Sequence, residues 1–349
     1  MTQNTFRHSV IALIFSFPPS VASMRSAQEM AKPPSEKQAV LNNLGALDAK
    51  PFSTLVVPEA RTQASQADTA NAVQWEKPIS SNPEAQLTTK DIVIPSKAGT
   101  LAAHVYIPRG PFPVVVYYHG GGWVVTDINV YDGAPRALSI GAKTIVVSVE
   151  YRHASEHKFP AAHEGAWAAY AWVVENVHEL NGNSDRIIVA GESAGGNLAA
   201  NVALMANTMK TTQPVHQLLV YPVAGNDMKT PSYKEIANAK PLGKADMEWF
   251  VKNTVSSMDE TKDSRINLNG RSDLAGVAPA TIILVQIDPL RPDGEIYAGK
   301  LKDAGVAVDL KTFNSITHEF FGMGKVVPEA KQALDLAVAG PATAFAKAK

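Results

Sequence analysis

Three residues whose types cooperate in acyl transfer are spread over the second half of this 349-residue chain. Ser193 lies in Gly191-Glu192-Ser193-Ala194-Gly195, a match to G-x-S-x-G. That pattern belongs to a strained strand-to-helix turn exposing a serine hydroxyl at a helix N-terminus. Asp288 ends the apolar run before Pro289, and His318 follows Ile316-Thr317. In the order Ser193, Asp288, His318 they can serve as nucleophile, orienting carboxylate and base, provided that the histidine reaches both partners. A fourth stretch, His119-Gly120-Gly121-Gly122-Trp123, follows an apolar run. A glycine run after a strand lets amide N–H groups converge on one point. With the N–H of Ala194, the residue after the serine, it would hold the oxyanion formed in acyl transfer. Each signal has an ordinary alternative. Gly/Ser strings occur in loops, an Asp before Pro is commonly a helix N-cap, and His318 is one of nine histidines. The four signals gain weight from their order and from the elements around them.

Those elements alternate. Asp91–Ile94 and Thr100–Ile107 flank the turn signal Ser96-Lys97-Ala98-Gly99 and suggest a hairpin. Apolar runs at Pro113–Tyr118, Thr144–Val149, Arg186–Ala190, Gln217–Tyr221, Thr281–Ile287 and Val306–Phe313 suggest strands. Helical stretches are expected at Ala161–His178, Gly195–Met209, Asp293–Ala304 and Pro328–Ala339, the last stopped by Gly340-Pro341. Two antiparallel strands followed by alternating strands and helices imply an α/β fold with a mostly parallel sheet covered on both faces. The candidate site residues then stand at strand ends, where open α/β sheets bind ligands. Residues 224–270 break the alternation with Pro231, Pro241 and an expected helix at Lys244–Val255, which reads as a cap insertion. The core is expected in two parts, 86–223 and 271–349.

The first 85 residues have a different texture. Residues 1–22 combine a weak basic start (Arg7, His8), an apolar core (Val10–Phe17) and Ser20-Val21-Ala22, the three-part pattern of a signal peptide. A periplasmic or secreted location is the expectation, with a cytoplasmic one as its alternative. Residues 23–85 read as a linker and N-terminal cap segment with a short helix around Leu41, Leu44 and Leu47. A formal charge of −1 with scattered basic residues argues against a nucleic-acid partner. The absence of cysteine excludes disulfides, a cysteine nucleophile and thiolate metal sites. His153-Ala154-Ser155-Glu156-His157 matches H-x-x-E-H, but it follows a strand and precedes Pro160, so the helical face a zinc site requires is missing. Trp167, Tyr170 and Trp172 read as packing. Trp123, Trp249, Phe250, Phe320 and Phe321 are candidates for the substrate pocket.

With these motifs in place, the chain from about Lys90 onward resembles the hormone-sensitive lipase family of α/β-hydrolases, also called bacterial esterase family IV. The resemblance rests on His119–Trp123 and Gly191–Gly196. It extends through Glu150-Tyr151-Arg152, Glu156–Ala162, Leu219–Pro222, Met247–Phe250, Asp288–Arg291 and His318–Gly322. It implies an eight-stranded core with a helical cap. It also implies Ser193 as nucleophile, His318 as base, Asp288 as its orienter, and Gly121, Gly122 and Ala194 as oxyanion donors. The chain departs from the family pattern at three places. Glu192 replaces the usual Asp, His153-Ala154-Ser155 replaces Leu-Ala-Pro, and Pro292-Asp293-Gly294 stands where Asp-Glu-Gly is usual, which makes Asp293 a rival acid to Asp288.

The expectation is a serine carboxylesterase acting on short- to medium-chain acyl esters through an acyl-enzyme, with no metal or organic cofactor. The same triad could deacetylate sugars or act on amides or lactones. The fold also serves small-ligand receptors that have lost a triad member. A small ester is the expected partner, without nucleic acid or an integral membrane segment, and a homodimer is left open.

Overall fold

Strand order and register explain how residues so distant in the chain become neighbours. The computed structural model describes residues 31–75, 87–110 and 112–347, so the signal-peptide expectation for residues 1–22 lies outside the described residues. Eight strands form one sheet: β1 (Thr88–Ser96), β2 (Gly99–Ile107), β3 (Phe112–Tyr118), β4 (Ile145–Val149), β5 (Gly182–Glu192), β6 (His216–Val220), β7 (Ala280–Ile287) and β8 (Val308–Thr317). Their spatial order is β1-β2-β4-β3-β5-β6-β7-β8. The hairpin β1–β2 and the β2–β4 pairing are antiparallel, and the remaining ladders are parallel.

The parallel strands β4 and β6 are buried along their whole length, as expected for strands covered on both faces. Alternate residues of β3 serve opposite faces: Val114, Val116 and Tyr118 pack in one apolar cluster, Val115 and Tyr117 in the other. Helices α5 (Ala161–Asn176), α6 (Ala194–Met209) and α9 (Arg291–Asp303) contribute to the first cluster. Helices α4 (Gly133–Ala142) and α10 (Pro328–Lys347) contribute to the second.

Residue pairs at the strand ends set the site. Tyr118 of β3 pairs with Gly191 of β5, so the chain leaves into the glycine loop and the serine turn side by side. Ile287 of β7 pairs with Thr317 of β8, and the next residues are Asp288 and His318. The ladder shifts between Val285↔Phe313 and Ile287↔Thr317, so β8 spends two extra residues there. This irregularity carries β8 to Thr317, beyond the Val306–Phe313 limits expected from apolar residues alone.

Two further differences from the sequence reading have physical causes. Helix α4 was not anticipated, because its short segment contains Gly133, Pro135 and Gly141, all poor helix formers. Helix α10 continues through Gly340-Pro341 instead of stopping there. The missing Cβ of Gly340 lets the helix approach Thr281, where a Cβ would press on Oγ1, and Phe345 beyond it is buried in the core. Tertiary packing outweighs the local cost of proline.

Above the sheet, α7 (Pro231–Glu235) and α8 (Lys244–Thr254) arise from the interval between β6 and β7. They meet an N-terminal layer of α1 (Ser35–Ala46), a 3-10 turn at Phe52–Thr54, α2 (Val57–Thr62) and α3 (Gln66–Trp75). Trp249 of α8 donates its indole N–H to Leu55 O at 2.9 Å, and the Phe52 ring lies against Trp249 and Phe250. Arg61 fastens α2 to the core through a two-pronged pair with Glu156 and bonds to Val124 O (2.8 Å) and Ala154 O (2.7 Å). No helix among the described residues is long and apolar enough to cross a membrane.

Candidate active site

Ser193 occupies a sharp turn with φ 55° and ψ −118°, a backbone conformation costly for a side-chain-bearing residue. The surrounding ladder holds it there. Its N–H donates to Val220 O at 2.9 Å, and its carbonyl accepts the Val223 N–H at 3.1 Å, so the end of β6 and the chain leaving it pin the turn from both sides. Gly195 admits the close approach this needs, because a Cβ there would collide with Tyr118 O. Ser193 is 6% exposed and opens α6, whose N-terminus favours developing negative charge.

The histidine ring of His318 stands beside the Tyr221 ring, with centroids 4.3 Å apart. Its Nδ1 lies 2.6 Å from Asp288 Oδ2, and Asp288 Oδ1 accepts the Leu290 N–H at 2.8 Å. Asp288 is wholly buried and His318 is 4% exposed. Burial opposes charge on His318, but the charge and hydrogen bond of Asp288, aided by Glu319 and Glu192, raise its pKa above the usual 6.5. Asp293 does something else. Its Oδ2 accepts the N–H groups of Gly225 (2.8 Å) and Ala224 (3.4 Å), which ties the start of α9 to the chain leaving β6. Burial pushes its carboxyl up to about 7, against those amide bonds and with help from Asp288 and Asp227. Of the two carboxylates, Asp288 is the one against His318.

The glycine loop is wound in the left-handed region at Gly121 (φ 95°), Gly122 (φ 59°) and Trp123 (φ 62°). Gly122 also has no room for a side chain, since a Cβ would strike the Phe250 ring of α8. Among the described residues, the N–H groups of Gly121, Gly122 and Ala194 donate to no backbone carbonyl, so they are available as donors. Tyr151 braces the loop from below, its hydroxyl donating to His119 O (3.0 Å) and Gly120 O (2.9 Å).

Glu192, beside the nucleophile, accepts hydrogen bonds from the Tyr117 and Tyr221 hydroxyls. Through these two bonds it supports the serine turn. Burial dominates and, with Glu319, pushes its carboxyl up to about 7, against the opposing influence of both tyrosines and His318. A carboxyl raised in the folded state contributes stability below its unfolded value of 4.5 and loses it as pH climbs through about 7. Glu192→Gln removes this titration. Its stability relative to wild type should therefore increase by on the order of 2–3 kcal/mol between about pH 4.5 and about pH 7.5. Denaturant unfolding of both proteins at the two pH values checks this, and a pH-independent difference would contradict it.

A group that the sequence reading missed holds Glu319, the residue after His318. Lys37 of α1 is completely buried, and its Nζ donates to Gln66 Oε1 (2.6 Å) and to Glu319 O (2.7 Å). Gln66 Nε2 and the Tyr131 hydroxyl in turn donate to the Glu319 carboxylate at 2.5 and 3.1 Å. The N-terminal layer thus grips the residue after the histidine. Lys37→Met should cost about 1–3 kcal/mol, because it leaves the buried Gln66 Oε1 and the part-buried Glu319 O without their donor. Chemical unfolding measures this, and an unchanged midpoint would show that the grip is dispensable. A lone lysine in an Ala/Gln-rich segment carries no signal from which this could have been foreseen.

Ser193, His318, Gly121 and Gly122 open on one cavity of about 410 Å³. Trp123 and Phe250 line it, as expected, together with Phe52, Tyr233, Leu242 and Met247. Trp249, Phe320 and Phe321 do not. Trp249 turns toward the N-terminal layer, while Phe320 and Phe321 are fully buried in the apolar cluster on the α4/α10 face. Adjacency to His318 in sequence misled because β8 ends there and the next residues turn back into the core. A larger groove of about 1060 Å³ runs past α1, α3 and α4 but reaches neither Ser193 nor His318. The H-x-x-E-H residues are not assembled around one point: Glu156 is engaged by Arg61, and His153 packs edge-on against His119.

Comparison with known proteins places this geometry in context. The family model described as the alpha/beta hydrolase fold matches residues 115–322. Carboxylesterase NlhH of Mycobacterium tuberculosis is 41% identical over 239 residues, covering 67% of this chain and 75% of the relative. Ethyl acetate hydrolase of Pseudomonas putida is 31% identical over 294 residues, covering 82% and 90%. Among solved structures, the hyperthermophilic esterase of Pyrobaculum calidifontis superposes with a TM-score of 0.79 at 32% identity, covering 90% of this chain and 99% of the other.

Proposed function

This chain belongs to the hormone-sensitive lipase family of α/β-hydrolases and is a carboxylic ester hydrolase, and from that premise we propose that it works through Ser193, His318 and Asp288 by way of an acyl-enzyme. The observation that carries this reading is the 2.6 Å contact between His318 and a fully buried Asp288, with the histidine and Ser193 bordering one cavity. Neutral His318 takes the Ser193 hydroxyl proton as the oxygen attacks the ester carbonyl carbon. The charge that develops on the carbonyl oxygen is received by the N–H groups of Gly121, Gly122 and Ala194. Asp288 holds the imidazole in the tautomer with the proton on Nδ1 and balances the imidazolium that forms. His318 returns the proton to the departing alkoxide. A water deprotonated by His318 then attacks the acyl group, and collapse of the second tetrahedral species frees the acid and regenerates the serine.

We further propose short- to medium-chain acyl esters as substrates. The cavity of about 410 Å³ lies toward the small end of the usual ~300–1,000 Å³ for ligand pockets, and Phe52, Met247 and Phe250 close over it. A series of p-nitrophenyl esters from acetate to palmitate should give its highest kcat/KM between butyrate and octanoate and at least a ~10-fold fall by palmitate, since a chain that outruns the cavity loses its buried contacts. A rate still rising at palmitate would contradict the assignment.

A further inference from the structure

Beneath the glycine loop lies a group of side chains to which ester hydrolysis gives no task. His119, the first residue of the loop, is completely buried. Its Nδ1 lies 2.8 Å from Gly120 O, and a carbonyl oxygen only accepts, so the ring proton is on Nδ1. The lone pair of Nε2 therefore points away from the loop, and no hydrogen-bond donor meets it. What it faces is Glu150 Oε1, 3.7 Å away. His153 approaches the same oxygen from the other side. Its Nε2 is 3.2 Å from Glu150 Oε1 but out of line for a hydrogen bond, and it too is buried without a partner. Two imidazole nitrogens and one carboxylate oxygen thus lie within 4.8 Å of one another. Two buried nitrogens without partners around one carboxylate oxygen are costly in a protein interior. A cation at their centre would satisfy all three.

We propose that His119 Nε2, His153 Nε2 and Glu150 Oε1 form a binding site for a divalent first-row metal ion of the zinc type. Tetrahedral zinc, with bonds of about 2.0–2.2 Å to nitrogen and oxygen, holds its ligand atoms about 3.2–3.6 Å apart. The two nitrogen–oxygen separations, 3.2 and 3.7 Å, bracket that range, and the two nitrogens lie within 4.8 Å of each other, close enough for a small ring shift to complete the shell. Two imidazoles and one carboxylate suit zinc and its neighbours rather than calcium or magnesium, which take oxygen ligands. The supporting contacts are those that orient metal ligands. His119 Nδ1 is bound to a backbone carbonyl, and Glu150 Oε2 accepts the Ile128 N–H at 2.9 Å, leaving Oε1 free for the centre. Glu150 is part-exposed, so a water can complete the fourth position. The site is separate from the chemistry of Ser193. Bound metal cross-links the root of the glycine loop to the segment leaving β4, and its effect is on the stability of that loop.

The test uses full-length, tag-free protein stripped with chelator and titrated with zinc chloride by calorimetry. One zinc per chain is expected to bind saturably and raise the thermal midpoint. His153→Leu and Glu150→Gln should each weaken binding by at least about 100-fold, because either substitution removes one of three ligands. Zinc K-edge absorption of the loaded wild-type protein needs no variant, and should show two imidazoles in the metal's shell. Absence of saturable binding, unchanged binding in both variants, or a shell without two imidazoles would each overturn the proposal. None of these outcomes depends on the catalytic assignment, since the readouts are binding and coordination.

Discussion

Ser193→Ala should lower kcat for p-nitrophenyl butyrate by about 10⁶-fold while leaving the fold intact, the magnitude seen when the nucleophile of a serine triad is removed. No other residue in the cavity can substitute for it. Among the residues lining the cavity, Ser193 alone joins a hydroxyl to the N-terminus of α6 and to the free amides of Gly121 and Gly122, so its loss removes covalent catalysis outright. The remaining oxyanion donors would still give a residual rate above that in water. Steady-state assays of wild type and variant, with circular dichroism to verify folding, check this. A reduction of less than about 10²-fold would place the nucleophile elsewhere, since that is the range of a single supporting interaction.

The second large effect distinguishes two neighbouring carboxylates. Asp288→Asn should lower kcat by about 10⁴-fold, because an amide facing His318 Nδ1 favours the wrong tautomer and cannot balance the imidazolium. Asp293→Asn should leave kcat within about 10-fold, since the Asn carbonyl can still accept from Gly225 and Ala224 and no reacting group is touched. Parallel assays of the two variants decide the matter. Loss at Asp293 with activity retained at Asp288 would transfer the acid role to Asp293.

Much of this arrangement was legible in the sequence, for identifiable reasons. Strand ends in a parallel sheet carry the site, and the apolar runs ending at Tyr118, Ala190 and Ile287 locate three of those ends almost to the residue. The position of Asp288 one residue beyond its strand separates it from Asp293, which starts a helix. What the sequence did not disclose depends on contacts between distant segments. Phe52 lines the cavity and Lys37 grips Glu319, yet neither stands in a periodic or motif context. Glu192 looked like a charge-conserving variant of aspartate. Only its burial in the fold shows that the carboxyl is pushed up to about 7, against the pull of the two tyrosine hydroxyls that bond it. Phe320 and Phe321 show the opposite failure, where proximity in sequence to the base suggested a pocket and the backbone turned them into the core.

Catalysis by the acyl-enzyme route requires that Ser193 itself becomes covalently modified. Incubating the full-length enzyme with diethyl p-nitrophenyl phosphate and mapping the adduct by peptide mass spectrometry addresses this directly. One nitrophenol released per chain, one diethylphosphoryl group on Ser193, and loss of esterase activity in proportion to labelling are the expected results. A stoichiometric adduct on another residue, or full activity surviving with Ser193 labelled, would contradict that route.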